Sequence, residues 1–179
     1  MGSAILITGV AGSGKSAACE ELKRRGFTAY DIENTVGLFS FINKFTRRQA
    51  NDTGDDNPEW FERNSWICDR KKLTKLVRSN DQGTAFYCGI ASNLDDLLPL
   101  FDKVFLLRAR PSTIRERLSG RPADDFGYGP AVQEWLLGWK DGWERWMIQK
   151  GALVVDADRT IAEVADEVIT KVSERSGAG

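Results

Sequence analysis

The sequence of 179 residues contains no histidine. That absence excludes histidine-based nucleophilic triads, an imidazole general base and histidine metal ligands. Cysteine is scarce: Cys19, Cys68 and Cys88 are odd in number, far apart and without CxxC spacing. A zinc site and a disulfide framework are therefore disfavoured, and a reducing compartment is expected. Charge of one sign is lacking too, with 25 Lys and Arg against 26 Asp and Glu. The balance gives no overall electrostatic reason to bind nucleic acid or an anionic membrane. No run of 18 apolar residues exists, so no membrane span is expected. The apolar opening, Met1–Val10, has no basic leader and runs into a glycine-rich turn. It reads as a buried strand rather than a signal peptide, and the expected setting is the cytoplasm.

What is present fits one globular domain over residues 1–179. Five short apolar runs read as strands: Ala4–Thr8, Phe27–Asp31, Thr84–Cys88, Lys103–Leu107 and Ala152–Val155. Helical patterns lie between them. Ser16–Arg25 is stopped by Gly26, and Ile161, Val164, Ala165, Val168, Ile169 and Val172 follow a Thr160/Glu163 capping box. The alternation predicts an α/β fold with a parallel sheet between helical layers. Two stretches break it. Ser40–Arg78 reads as mostly helical, interrupted by the polar loop Asn51–Pro58. Arg121–Pro130, rich in glycine, proline and aspartate, reads as a mobile loop. The final Ser176–Gly179 reads as a frayed tail.

Gly9-Val-Ala-Gly-Ser-Gly14-Lys15-Ser16 fits G-x-x-x-x-G-K-[ST], with a buried strand before it and a helix after it. Glycines let backbone amides wrap a phosphate, and the helix N-terminus adds positive potential. Lys15 would neutralise the outer phosphates of ATP, and the Ser16 hydroxyl would ligate Mg²⁺. Gly9, Ala11, Gly12, Ser13, Gly14, Lys15, Ser16 and Ala17 form the expected nucleotide cradle. The Asn-Lys-x-Asp motif of GTPases is absent, since Asn43-Lys44 runs into Phe45-Thr46. The third strand ends Cys88-Gly89-Ile-Ala-Ser-Asn93 with no acid, unlike the strand end of motor and remodelling ATPases.

These residues resemble the P-loop small-molecule and nucleotide kinase group that includes shikimate kinase, gluconate kinase and adenylate kinase-like enzymes. The resemblance covers nearly the whole chain. Beyond the P-loop it rests on Tyr30-Asp31-Ile32-Glu33, on Gly89, on Arg115-Glu-Arg117-Leu118 with Arg121-Pro122, and on Val155-Asp156-Ala157-Asp158. Closer still is the resemblance to uncharacterised bacterial ATP-binding proteins of that group, through Cys88–Asn93 and Trp66-Ile67-Cys68-Asp69. It implies a P-loop three-layer α/β/α sandwich with a five-stranded parallel sheet. It also implies a helical acceptor-binding insertion over 40–80 and a short lid over 117–130. Arg117 would stack on adenine, Arg121 would reach the transferring phosphate, and Asp158 would flank the base. Gly89 would contact the substrate.

Asp31 and Glu33 alternate, which assigns them to one face of a strand end. An acid there could hold a Mg²⁺ water or take the proton of an attacking hydroxyl, and Asp31 is the first candidate. Glu33 stands where shikimate kinase has its second Asp, which departs from the pattern for that substrate. Arg47, Arg48 and Arg63 are candidate cations for an acceptor phosphate, with Asn93 as an amide contact. The adenylate kinase sequence Asp-Gly-x-Pro-Arg is missing after the third strand. Trp135, Trp139, Trp143 and Trp146 recur at helical spacing, as a packing face or as a stacking wall for a base. The expectation is a kinase that moves the γ-phosphoryl of Mg-ATP to a small acceptor, a nucleoside or nucleotide first. A shikimate- or gluconate-type metabolite kinase and a slow P-loop ATPase switch are the alternatives. Neither nucleic acid nor membrane is an expected partner, and the chain would act as a monomer or homodimer.

Overall fold

The computed structural model describes residues 2–50 and 56–174. Its main sheet holds five strands: β1 (Ser3–Thr8), β2 (Thr28–Asp31), β5 (Thr84–Cys88), β6 (Lys103–Arg108) and β7 (Leu153–Asp156). They run in the order β2-β5-β1-β6-β7, with every neighbouring pair parallel. All five expected strands form. The helices are α1 (Lys15–Arg24), α2 (Pro58–Arg63), α3 (Arg70–Ser79), α4 (Leu94–Leu97), α5 (Pro111–Ser119), α6 (Pro130–Gln149) and α7 (Ile161–Ser173).

The strands are apolar throughout because both faces of the sheet are covered. Ile5, Ile7, Phe86, Cys88, Phe105 and Leu107 share one core with Cys19 and Leu22 of α1 and Val164 and Val168 of α7. Their neighbours in sequence, Ala4, Leu6, Ala85, Tyr87 and Leu106, share the other with Leu73 of α3 and Leu94 and Leu97 of α4. Period-two alternation thus splits each central strand between two cores, giving three layers. Each fully buried Ile, Leu or Phe contributes about 1.5–3 kcal/mol. Burial also pushes the Cys68 thiol and the Tyr87 hydroxyl up to about 12.

The stretch expected to be mostly helical is different. Phe39–Asn43 (β3) and Asn64–Cys68 (β4) pair antiparallel as a separate two-stranded sheet, with α2 and α3 as the helical parts. Aromatic and β-branched residues favour this pleated surface, and Phe39 and Phe41 both pack their rings on Trp66. Residues 51–55 of the expected polar loop Asn51–Pro58 lie outside the described residues, as does the expected frayed tail, whereas Asn57 and Pro58 open α2.

This small sheet is fastened to the main one by the turn after β5. Ser92 N donates to the Trp66 carbonyl at 2.7 Å, and Trp66 N donates to Ser92 Oγ at 3.0 Å. The Asn93 amide bonds both backbone groups of Cys68, each at 3.0 Å. Asp69 then caps α3 by accepting from the Lys71 and Lys72 amides. The two stretches that carry the closer resemblance are therefore interlocked.

Helix α6 is continuous through Gly138 and Gly142 and reaches both cores, through Leu136 and Met147. Among the described residues, nothing beyond the helix's own backbone would meet an added Cβ at Gly138 within 4 Å, so close approach of a described neighbour does not explain that glycine. The helix buries an ion cluster. Lys140 Nζ lies 3.0 Å from the Glu144 carboxylate, which also takes Arg108 Nε at 3.1 Å.

Candidate functional site

Beyond β1 the chain enters the phosphate-binding loop, whose sequence is dictated by space. A Cβ on Gly9 would lie 2.7 Å from the Leu107 carbonyl oxygen, and Gly12 and Gly14 adopt φ of +80° and +100°. Only glycine meets both demands without strain. Gly14 is the N-cap of α1, so Lys15 and Ser16 open the helix beside the loop. Lys15 Nζ donates to the Gly9 carbonyl at 2.8 Å and lies 3.5 Å from a Glu33 oxygen. The buried hydroxyls of Thr8 and Ser13 have no hydrogen-bond partner among the described residues.

The loop forms one end of a cleft of about 1520 Å³. Pockets for one small ligand run to roughly 300–1,000 Å³, so this cleft has room for two. Ala11, Gly12, Gly14, Lys15, Ser16 and Ala17 line the phosphate end, and Glu33, Arg117 and Arg121 are also in the lining. Much of the remaining lining is aromatic. Phe41, Phe61 and Trp66 come from the small sheet and α2, Phe126 from the loop after α5, and Trp135, Trp139, Trp143 and Trp146 from α6. These tryptophans both pack the core and face the cleft.

Arg117 bridges two segments. Nη1 donates to the Gly12 and Ser13 carbonyls at 3.2 and 3.3 Å, and Nη2 to the Ala157 carbonyl at 2.8 Å. Asp158 accepts from the Arg110 Nε at 3.0 Å and from its amide, and the Thr113 hydroxyl holds its carboxyl below the usual range. Arg121 donates to the Phe126 carbonyl within its own loop. That loop, expected to be mobile, is tied at several points. Asp56 accepts from the amides of Gly127 and Gly129 at 2.6 Å each, and Gln133 Nε2 donates to the Gly127 and Tyr128 carbonyls.

Several candidates lie elsewhere. The shared face expected of Asp31 and Glu33 is not formed, because β2 ends at Asp31 and the chain turns there. Glu33 lines the cleft and accepts from the Ile90 amide, whereas Asp31 does not line it and takes the Asn34 amide at 3.0 Å. Gly9, Ser13, Gly89, Asn93, Asp158, Arg47 and Arg63 are also outside the lining. Gly89 lets β5 cross close under the β2 end, since a Cβ there would meet Ile32 Cγ1 at 2.6 Å. Asn93 spends both ends of its amide on Cys68. Conversely, Asn34, Phe41, Lys44, Asp56, Phe61 and Asn64 line the cleft without having been singled out by sequence. The alternating aromatics of Phe39–Phe41 were the available signal.

Among the described residues no group of three acidic or cysteine side chains could cage a metal. Magnesium does not need one. It is held by one or two protein oxygens together with substrate phosphates and waters, and the Ser16 hydroxyl beside the loop is a hard oxygen donor of the right kind.

A family model described as an AAA domain matches residues 5–127. The chain belongs to that family. No curated protein matches it. Among solved structures, it is similar to a deoxyadenosine kinase from M. mycoides with bound dATP, at 16% identity and TM-score 0.58, covering 96% of this chain and 99% of that one. It is similar to a shikimate kinase from Acinetobacter baumannii in complex with shikimate, at 12% identity and TM-score 0.62, with 99% and 97% covered. A gluconokinase from Sinorhizobium meliloti 1021 matches at 18% identity and TM-score 0.53, with 96% and 92% covered. At these identities the likeness is one of fold, and the AAA-domain chain has the five-stranded parallel architecture of P-loop small-molecule kinases. No helix among its described residues is long and apolar enough to cross a membrane.

Proposed function

We propose that the protein is an ATP- and Mg²⁺-dependent phosphotransferase that moves the γ-phosphoryl group to a hydroxyl of a small acceptor, a nucleoside or nucleotide. The observation that carries this reading is one continuous cleft whose lining combines the phosphate cradle and Lys15 with eight aromatic side chains, and has Glu33 beside Lys15. Phosphoryl transfer asks for alignment and charge neutralisation more than covalent chemistry. Loop amides and Lys15 hold the phosphates, and Arg117 shapes the loop beneath them. The acceptor oxygen bonds to the γ-phosphorus while the bond to the β–γ bridging oxygen breaks and ADP leaves. Glu33 takes the hydroxyl proton, the role that strand alternation assigned to Asp31. The Ser16 hydroxyl would hold magnesium, which would supply charge neutralisation to the phosphates when bound. In this reading residues 40–80 bind the acceptor, 117–130 form the lid with Arg121, and the chain works as one cytoplasmic domain.

The test is ADP release from Mg-ATP against nucleosides, nucleoside monophosphates, shikimate and gluconate. Acceptor-dependent release, with the phosphorylated product identified by mass, is the expected result. ADP release indifferent to every acceptor would overturn the reading in favour of a hydrolase switch. Bound ATP with no release on this panel would favour a nucleotide-binding module.

A further inference from the structure

Asn64 sits where α2 passes into β4, lines the cleft, and is more than nine-tenths buried. Its Nδ2 donates to the Trp60 carbonyl at 2.8 Å, which fixes the orientation of the amide. Its Oδ1 is buried and has no hydrogen-bond partner among the described residues. Buried acceptors are seldom left this way in folded proteins. The same cleft contains a second unmet group of opposite kind, the buried indole Nε1–H of Trp139.

The charge around this compartment narrows the ligand further. The basic side chains that line the cleft are Lys15, Lys44, Arg117 and Arg121, and each already donates to a backbone carbonyl. Lys15 and Arg117 belong to the phosphate end. Lys44 is held on the Glu62 carbonyl at 2.7 Å. Arg47 and Arg63 are outside the lining, and residues 51–55 contain no Lys or Arg. The lining also includes the exposed carboxylates of Asp124 and Asp125. A phosphate or carboxylate on the acceptor would meet no clamp of the kind such groups require and would face like charge. Planar rings, in contrast, have eight aromatic side chains to stack on.

We infer that the acceptor is an uncharged nucleoside whose base carries an exocyclic amine, and that Asn64 is the residue that selects it, by accepting the amine N–H on Oδ1. The inference rests on the phosphotransferase reading and chooses within it: nucleoside over nucleotide, and amino base over oxo base. A site built around a buried acceptor discriminates strongly, because the oxo analogue turns a lone pair toward Oδ1 and leaves it unpaired.

The experiment measures two things on wild type, Asn64→Leu and Asn64→Asp. The first is acceptor-dependent ADP release with adenosine, cytidine, inosine, uridine, AMP and CMP. The second is quenching of tryptophan fluorescence by the same compounds without ATP, which reports binding independently of turnover. Adenosine or cytidine is expected to exceed its oxo counterpart by about tenfold or more in kcat/KM and in binding, and to exceed its own monophosphate. Asn64→Leu should remove the amino-over-oxo preference through KM while leaving the KM for ATP unchanged. Asn64→Asp, which keeps an acceptor oxygen, should retain the preference, which separates recognition from a folding defect. Equal binding of adenosine and inosine, preference for a monophosphate, or an equal loss for both bases in Asn64→Leu would each overturn the inference. ADP release that ignores acceptors, together with Asn64-dependent binding of amino nucleosides, would overturn the phosphotransferase reading and leave the recognition assignment standing.

Discussion

The Lys15 ammonium and the Glu33 carboxylate lie 3.5 Å apart in the cleft lining, with side chains 10% and 26% exposed. Lys15 is also held by the Gly9 and Val10 carbonyls, and Glu33 by the Ile90 amide. Arriving phosphates would draw Lys15 toward themselves and leave Glu33 facing the acceptor. Glu33→Gln should therefore lower kcat by roughly 10²-fold or more with little change in the KM for ATP. Lys15→Ala should abolish turnover. Steady-state kinetics on both variants check this, and unchanged turnover in Lys15→Ala would sink the site assignment.

Asp56 couples the stretch proposed to bind the acceptor to the loop after α5. Its two oxygens accept from Gly127 and Gly129, and its own backbone sits at φ 52°, a left-handed conformation. Asn tolerates that conformation and keeps one acceptor oxygen, whereas Ala does neither. Asp56→Ala should speed hydrogen exchange at the Gly127 and Gly129 amides and raise the acceptor KM more than the ATP KM. Asp56→Asn should fall between. Exchange rates equal to wild type in the Ala variant would show that the loop is held by Gln133 and Arg121 alone.

The phosphate loop and the five-stranded sheet were legible because their signals are local and mutually consistent. An apolar run into Gly9–Ser16 admits few other structures, and each strand is short, apolar and bounded by glycine or charge. The β3–β4 pair was not, because its strands are about twenty residues apart with no tight turn between them. The aromatic spacing from Phe39 to Trp66 also suits a helix. The shared face of Asp31 and Glu33 failed for a related reason: alternation holds only while the strand continues, and β2 ends at Asp31. Nothing in the local sequence distinguishes Asn93, whose amide is consumed by Cys68, from Asn64, whose oxygen is left unmet. That difference is set by tertiary packing.

The ion cluster on α6 makes a prediction about stability rather than chemistry. Lys140 and Glu144 are both almost fully buried, and Glu144 also pairs with Arg108. Removing one partner strands a buried charge, so Glu144→Ala should cost about 3–5 kcal/mol. Replacing both, as Lys140→Met with Glu144→Leu, should be near neutral or stabilising. A change of 1 kcal/mol shifts Tm by roughly 2–4 °C at this chain length, so thermal melts separate the two outcomes. A double variant as unstable as Glu144→Ala would mean that the pair fixes the position of α6 rather than merely cancelling charge.

Glu21 supplies the acid side of the stability profile. Its carboxylate takes Arg24 Nη2 and Arg25 Nε at 2.7 Å each, and Arg25 reaches on to Asp166 and the Ala162 carbonyl in α7. Those guanidinium hydrogen bonds hold its carboxyl at about 2, below the ordinary 4.5. Folding therefore favours the charged form. The contribution is complete above pH 4.5 and is lost progressively as pH falls toward 2. Glu21→Gln cannot titrate, so the gap in denaturant midpoint between wild type and variant should be constant from pH 7 to about 5 and close as acid is added. A gap that persists unchanged to pH 2.5 would show that Glu21 joins α1 to α7 through packing and not through its charge.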